Sequence, residues 1–203
     1  MERPILFNTE MVQAILEGRK TTTRRIVKPQ PNGMLKCVIP HEVKGKSCWV
    51  EENADLKGKF KDYRSFEIGD VLYVRETFFI GDILNEAEDI VESNLIFYRA
   101  DKKVKNIDYE SIKWRPSLHM PKKLARIFLK VTDVRVERLR EMSEKDAEKE
   151  GAVSSSDKHC FCLRSFIDIW NNTLKKDQLK DYGWEVNPWV WVIEFERVDS
   201  ESN

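Results

Sequence analysis

The chain has 203 residues, 41% of them hydrophobic and 34% charged; this is the composition of an ordinary soluble globular protein, and no apolar run reaches the length of a membrane span. Its 35 Lys and Arg balance 35 Asp and Glu, so no global field draws it toward nucleic acid and any anion site must be local. Only Ile5, Leu6 and Phe7 follow Pro4, too short an apolar core for a secretory signal, so a cytoplasmic protein is expected, with Cys37, Cys48, Cys160 and Cys162 kept as thiols.

Asn8 and Thr9 offer capping oxygens to a helix over 9–17, whose apolar residues Met11, Val12, Ile15 and Leu16 recur at helical spacing and which Gly18 stops. Thr21 to Val27 is rich in β-branched residues and should be extended until Pro29 and Pro31 break it. From about 28 to 68 Pro, Gly, Lys and Ser recur without sustained periodicity, which predicts an irregular insertion carrying one hairpin near Cys48 to Val50. Gly69 and Asp70 turn the chain into a strand over 71–80 that carries a polar cluster, Arg75, Glu76 and Thr77. The acidic stretch from Asp82 to Glu92 holds no Lys or Arg and reads as a solvated loop or helix face. Strands are expected over 95–99 and 125–136, the latter from the alternation of Ile127, Leu129 and Val131, with a connector bracketed by Pro116 and Pro121 between them. Ser143 and Asp146 form a capping box for a short acidic helix ending at Gly151. Leu163, Phe166, Ile167, Trp170 and Leu174 mark one face of a second helix, and Trp189 to Val198 closes the chain as a strand. Several strands with few, irregularly placed helices define an α+β fold with a mostly antiparallel sheet or small barrel, in a single domain over 1–203.

Two basic clusters stand out. Between Arg19 and Lys28 lie Arg19, Lys20, Arg24, Arg25 and Lys28, with Thr21, Thr22 and Thr23 among them and no acidic residue. Such a run presents hydroxyls and guanidinium groups to an anionic or carbonyl-bearing ligand, or else forms a solvated strand edge. The stretch from Lys113 to Lys130 holds Lys113, Arg115, Lys122, Lys123, Arg126 and Lys130 without an acid, and Trp114 lies inside it. Aromatics interleaved with cations suit base stacking with phosphate contact. Cys37, His41 and Cys48, and again His159, Cys160 and Cys162, group ligand types for zinc, but no CxxC spacing accompanies them, so no metal is expected. No phosphate-cradling or dinucleotide-binding glycine loop is present, so no cofactor is expected either.

The run Gly18 to Arg25 resembles the signature of the ASCH domain, a PUA-like family with the pattern GxKxxExR: Gly18, Lys20 and Arg25 match, and Thr23 stands where the pattern has Glu. Gly69 to Leu72 resembles that family's turn into a barrel strand, and the blocks VRETFF, WRPSLHMPKKLAR and NPWVWVIEF are similar to ASCH proteins of phages and prophages. The resemblance implies a PUA-like, mostly antiparallel β-barrel with short flanking helices. The GRKTxTxR form is similar to that of small bacterial ASCH amidohydrolases that deacetylate N4-acetylcytidine. It implies a catalytic Lys20, Thr23 and Glu150, the last from the segment Ala147 to Gly151. This chain is about twice the length of those enzymes.

Chemistry fits those residue types. A desolvated Lys20 among arginines would have its pKa lowered and could take the Thr23 hydroxyl proton, Thr23 would attack an amide carbonyl, and Glu150 would orient Lys20 or protonate the departing amine, or activate a water instead. In a plain strand residues 20 and 23 point to opposite faces, so this set demands a bend between them. Arg25, Arg75, Glu76, Trp114 and Arg115 are the expected substrate-binding residues, with Arg75 and Glu76 alternatively an ion pair. The expected partner is a small nucleoside-like substrate. The alternative is single-stranded RNA, bound by an RNA-binding module or a metal-dependent ribonuclease.

Overall fold

The computed structural model describes residues 1–31, 35–38, 48–51, 66–84, 90–101, 112–153 and 162–198. In chain order these form β1 (Glu2–Leu6), α1 (Thr9–Leu16), β2 (Thr22–Ile26), β3 (Leu35–Val38), β4 (Cys48–Glu51), β5 (Val71–Arg75), β6 (Phe78–Leu84), β7 (Ile90–Tyr98), β8 (Phe128–Arg138), α2 (Glu144–Lys149), α3 (Cys162–Thr173), α4 (Leu179–Tyr182) and β9 (Trp189–Val198). Five strands follow the hydrogen-bonded order β1-β5-β8-β9-β2, and β3-β4 and β6-β7 are separate hairpins. Because β1 and β2 end that order, no closed barrel forms among the described strands. The fold is α+β with a mostly strand framework, and β1 with β5 is a parallel pair within it.

The chain divides into two compact units. The first comprises residues 1–20, 70–130 and 196–203. Here β1 pairs in parallel with β5, and β5 pairs antiparallel with the start of β8, Leu72 opposite Leu129. Ile5, Phe7, Val12, Ile15, Leu72, Val74, Phe78, Met120, Ile127 and Leu129 are buried. Asn8 caps α1, its side chain accepting from the Met11 N–H at 2.9 Å. Gly18 ends the helical segment at φ +73°, a conformation that favours glycine.

The second unit comprises residues 21–69 and 131–195. There β2 pairs antiparallel with β9, Thr23 opposite Ile193 and Arg25 opposite Trp191. Alternation divides β2 into a Thr23/Arg25 face and a Thr22/Arg24/Ile26 face. Ile26 and β9's Val190 and Val192 pack with Leu139, Met142, Ala147, Cys162, Phe166, Trp170 and Trp184 in one apolar cluster. Phe166 stacks on Trp170 at 6.0 Å and meets Trp184 edge-on at 6.4 Å, and the Trp170 indole donates to the Tyr182 carbonyl at 2.9 Å. Where β2 ends, the Gln30 side chain continues the pairing: its carbonyl accepts from the Trp189 N–H at 2.7 Å and its amide donates to the Trp189 C=O at 3.0 Å.

Some expectations change. The single strand over 71–80 is two, β5 and β6, because Glu76 and Thr77 interrupt the ladder and Arg115 pairs with Phe78. The two ends of the acidic stretch, 82–84 and 90–92, lie in the arms of the β6-β7 pair, the apolar residues Ile80, Leu95 and Phe97 prevailing over the acidic composition there, and 85–89 lie outside the described residues. The expected hairpin in the insertion is β3-β4, Cys37 opposite Trp49. Cys162, expected as a thiol, is disulfide-bonded.

Candidate active site

β2 and the end of α2 build the polar part of the second unit. Ser143 and Asp146 form the expected capping box: the Ser143 N–H donates to the Asp146 carboxylate at 3.0 Å, and the Asp146 N–H to the Ser143 hydroxyl at 3.3 Å. Burial alone would raise the Asp146 pKa, but the Ser143 hydroxyl and N–H and the charges of Arg24 and Lys149 outweigh it and hold the carboxyl below its ordinary range. The cap fixes the start of α2, so the helix delivers Lys149 and Glu150 to β2. There the Thr21 N–H donates to the Lys149 carbonyl at 2.8 Å, and Arg24 Nη1 donates to Glu150 Oε1 at 3.3 Å.

Thr23 is 2% exposed and Glu150 7%. Arg25 is half-buried; desolvation pushes its guanidinium pKa below the ordinary value, and the Glu150 charge pulls it back up. On the Thr23/Arg25 face, Trp49 of β4 meets Trp191 edge-on at 5.3 Å, so the insertion contributes an aromatic beside Arg25's strand partner. On the opposite face Arg24 is buried between two carboxylates, Glu150 and Glu137, the latter 3.5 Å from Nη2. Glu137 is shared with Arg135, which also binds Asp133 and Glu194, both at 2.8 Å. Burial lowers the Arg135 pKa, and the hydrogen bonds that Arg135 donates to these three carboxylates more than reverse it, so the guanidinium lies above its ordinary value.

In the first unit, Lys20 is 2% exposed, its ammonium 5.5 Å from the centroid of the Phe7 ring. The N–H groups of Arg19 and Lys20 both donate to the Ala14 carbonyl, at 2.9 and 3.0 Å. Lys20 therefore precedes the strand that begins at Thr22, and the face alternation of β2 does not extend to it. The other expected binding residues of this unit have contacts of their own. Arg75 donates through Nη2 to the Leu118 carbonyl, not to Glu76. Glu76 is 1% exposed and is clamped by Arg126, Nε to Oε1 at 2.9 Å and Nη2 to Oε2 at 3.1 Å. Burial pushes the Glu76 pKa above its ordinary value against the pull of Arg126. Trp114 lies edge-on to Phe79 at 6.5 Å, and Arg115 is exposed and pairs its backbone with Phe78.

Of the five cations from Arg19 to Lys28, Arg19 pairs with Glu17 at 2.6 Å, Arg24 with Glu150 and Glu137, and Lys28 lies over the face of Tyr182 at 5.1 Å. Sequence reading missed Arg24, Glu137 and Arg135. The only signal was β2's alternation, which turns Arg24 away from Arg25. Among the described residues no group of three or more His, Cys, Asp and Glu is placed to hold a metal, and His41, His159 and Cys160 of the zinc reading lie outside them. No described helix is long and apolar enough to cross a membrane.

Fold and site together define an α+β protein, mostly of strands, with buried Thr, Arg and Glu side chains around β2 in the second unit and a buried Lys20 in the first. No family model and no curated protein matches the chain. A solved structure, protein EF3133 from Enterococcus faecalis V583, described by the family model DUF984, is similar at 12% identity and a TM-score of 0.41, covering 100% of this chain and 86% of that one.

Proposed function

We propose that this chain is an amidohydrolase that removes an acyl group from an N4-acylated cytosine nucleoside or a related small amide. The observation that carries the reading is the seating of the α2 end on β2: Lys149 is bonded to Thr21, and Glu150 to Arg24 across 126 positions of sequence. That brings a buried carboxylate to the segment holding the buried hydroxyl; it is bonded to Arg24, on the face of β2 away from Thr23, and its charge also acts on Arg25, on the Thr23 face. Lys20 takes the proton from Thr23, whose oxygen adds to the acyl carbon. The tetrahedral adduct collapses by breaking the bond from carbon to the exocyclic nitrogen, and that nitrogen leaves with a proton from Glu150. Water then cleaves the acyl-Thr23 ester, releasing the acid and restoring the hydroxyl. Arg25 binds the pyrimidine side of the substrate from the same face of β2 as Thr23. The purified chain should convert N4-acetylcytidine to cytidine and acetate, and Lys20→Ala, Thr23→Ala and Glu150→Gln should each lower kcat/KM by at least about a hundredfold while remaining folded by circular dichroism. Undiminished turnover in the Thr23 and Glu150 variants overturns the assignment.

One observation favours the second reading, single-stranded RNA. Phe79 has Phe97 as its strand partner, and the Phe78–Arg115 bridge sets Trp114 on its other side, giving a row of half-buried rings at 6.2 and 6.5 Å. The Phe79 ring lies over Gly81, where a Cβ would come within 2.3 Å of it. Exposed Arg99 follows Phe97 by two positions, and exposed Lys113 and Arg115 flank Trp114 in sequence. Stacking on such a row contributes about 1–3 kcal/mol per base, so Phe79→Ala should weaken binding of a labelled single-stranded oligoribonucleotide about tenfold in fluorescence anisotropy if this reading holds.

A further inference from the structure

The side of β2 that carries Thr23 and Arg25 faces away from the apolar cluster of α2 and α3, which takes Ile26, Val190 and Val192 from the other side. On the Thr23/Arg25 side β9 contributes Trp189, Trp191 and Ile193, because Trp191 is the strand partner of Arg25, Ile193 that of Thr23, and Trp189 precedes Trp191 by two positions. Two observations there go beyond packing. Trp49, brought by β4 of the insertion hairpin, meets Trp191 edge-on at 5.3 Å yet stays half-exposed, while its neighbour Val50 is fully buried. Trp189 is 8% exposed, and its indole Nε1 is buried without a hydrogen-bond partner, whereas the Trp170 indole donates to the Tyr182 carbonyl at 2.9 Å. One face of the Trp189 ring is taken by Arg138, its guanidinium carbon 4.2 Å from the ring centroid, and Arg138 is tied in turn to the Asn187 carbonyl at 3.0 Å. The ring is thus fixed in place with its N–H unmet.

We propose that Trp49 and Trp189 form a subsite for the pyrimidine ring beside Arg25: the ring stacks on Trp49, and one of its edge acceptors, O2 or N3, takes the Trp189 indole N–H. The inference rests on the hydrolase reading for its ligand and adds the residues that set the specificity of that site, one of them supplied by the insertion. Indole and guanidinium groups donate and cannot accept, so this side of the sheet selects a flat heterocycle with acceptors along its edge. N4-acylated cytosine has N3 next to the carbon that bears the amide, and O2 beyond it. A buried N–H without an acceptor destabilises the folded chain, and a ligand that brings the acceptor relieves that cost. Because the N–H is sealed from solvent, a ligand reaches it by displacing what lies over it. Among the described strands β3-β4 is a separate hairpin outside the five-stranded order, so it can yield on this side without breaking that ladder.

The test reads binding and turnover separately, with thermal unfolding alongside. Indole N–H resonances are followed by proton–nitrogen correlation NMR as cytidine, the product, is titrated into the labelled chain; the Trp189 resonance is the one missing from Trp189→Phe. It should move downfield in wild type, with a titration midpoint about tenfold lower than in Trp49→Ala. With N4-acetylcytidine as substrate, Trp49→Ala and Trp189→Phe should each raise KM about tenfold with kcat within about threefold, the signature of lost binding in place of lost chemistry. Should Trp49→Ala not fold, Trp49→Leu and Trp189→Phe, which keep an apolar side chain in place, carry the same test. Wild-type KM and an unchanged titration midpoint in the folded variants overturn the inference and leave the hydrolase reading standing, and so does a Trp189 resonance unmoved by millimolar cytidine in a chain that turns over the substrate. Absence of turnover, with the Trp189 resonance still moved by cytidine and less readily so in Trp49→Ala, sinks the hydrolase reading and leaves the subsite. A chain that shows neither turnover nor a moved resonance sinks both.

Discussion

Glu76 and Glu150 are both buried carboxylates facing an arginine, and their contacts to it differ. Glu76 is gripped through both oxygens by Arg126, which also binds Asp101 at 2.7 Å and lies over the Tyr98 ring at 3.8 Å. Burial draws the Arg126 pKa down, but its bonds to Glu76 and Asp101 prevail and place it above the ordinary value. Tyr98 is raised, mainly by desolvation. This cluster is a structural tie in the first unit. Removing Arg126 leaves the Glu76 carboxylate buried and unpaired by that group, so Arg126→Ala should cost about 3 kcal/mol in urea unfolding at pH 7. The sign of its pH dependence follows from Glu76, whose folded pKa is raised. The folded chain takes up this proton at higher pH than the unfolded chain, so stability is lost as pH rises from the ordinary carboxylate range through the raised value. Arg126→Ala removes the opposing pull and should therefore be less damaging at pH 4 than at pH 7. A larger cost in acid would contradict the assignment.

Among the elements, α2 and α3 show how local signals place a site. The Ser143 capping box was legible from spacing, and it starts the helix that carries Glu150 to β2. Ser143→Ala should destabilise by about 1 kcal/mol at pH 7. Asp146 has a lowered pKa, so its contribution is present above the ordinary Asp value and lost as pH falls through the folded one. The penalty of Ser143→Ala should accordingly shrink in acid, as thermal unfolding at several pH values would read. In α3 the face predicted from Phe166 and Trp170 is buried against Trp184 and Val192, and Phe166→Ala should cost about 3–5 kcal/mol. What sequence left hidden lies where tertiary contacts override composition. Glu92 sits on a hairpin arm because its strand pairs with β6, and nothing local to Arg24 announces Glu137 or Glu150 as its neighbours. Nor is it readable that the Lys20 N–H bonds back to the Ala14 carbonyl before the strand opens at Thr22.

At the scale of the molecule, the equal numbers of acidic and basic residues decide how a substrate arrives. A formal net charge of zero supplies no long-range steering, so kcat/KM for a neutral nucleoside should change less than about twofold between 50 and 500 mM salt. A polynucleotide substrate would instead lose affinity steeply over that range as counterion release is suppressed. The same measurement therefore separates the two readings of function. The mixed α+β framework was visible in the sequence from its alternating strands and single-faced helices, whereas the parallel β1-β5 pair and the absence of a closed barrel among the described strands depend on long-range partner choice. Local periodicity does not encode that choice.

Gln30 also bears on how copies of this chain meet one another. β2 ends the strand order, and a terminal strand is a template on which a neighbour's strand can pair and propagate. Just beyond it the Trp189 main chain presents a donor and an acceptor; the Gln30 amide occupies the donor and shares the acceptor with the Val27 N–H. The side chain acts as a plug that matches main-chain polarity, denying that stretch to an incoming strand at the cost of a single residue. Gln30→Ala reopens it, so the variant should scatter more light than wild type on storage at high concentration while its secondary structure, freshly purified, is unchanged.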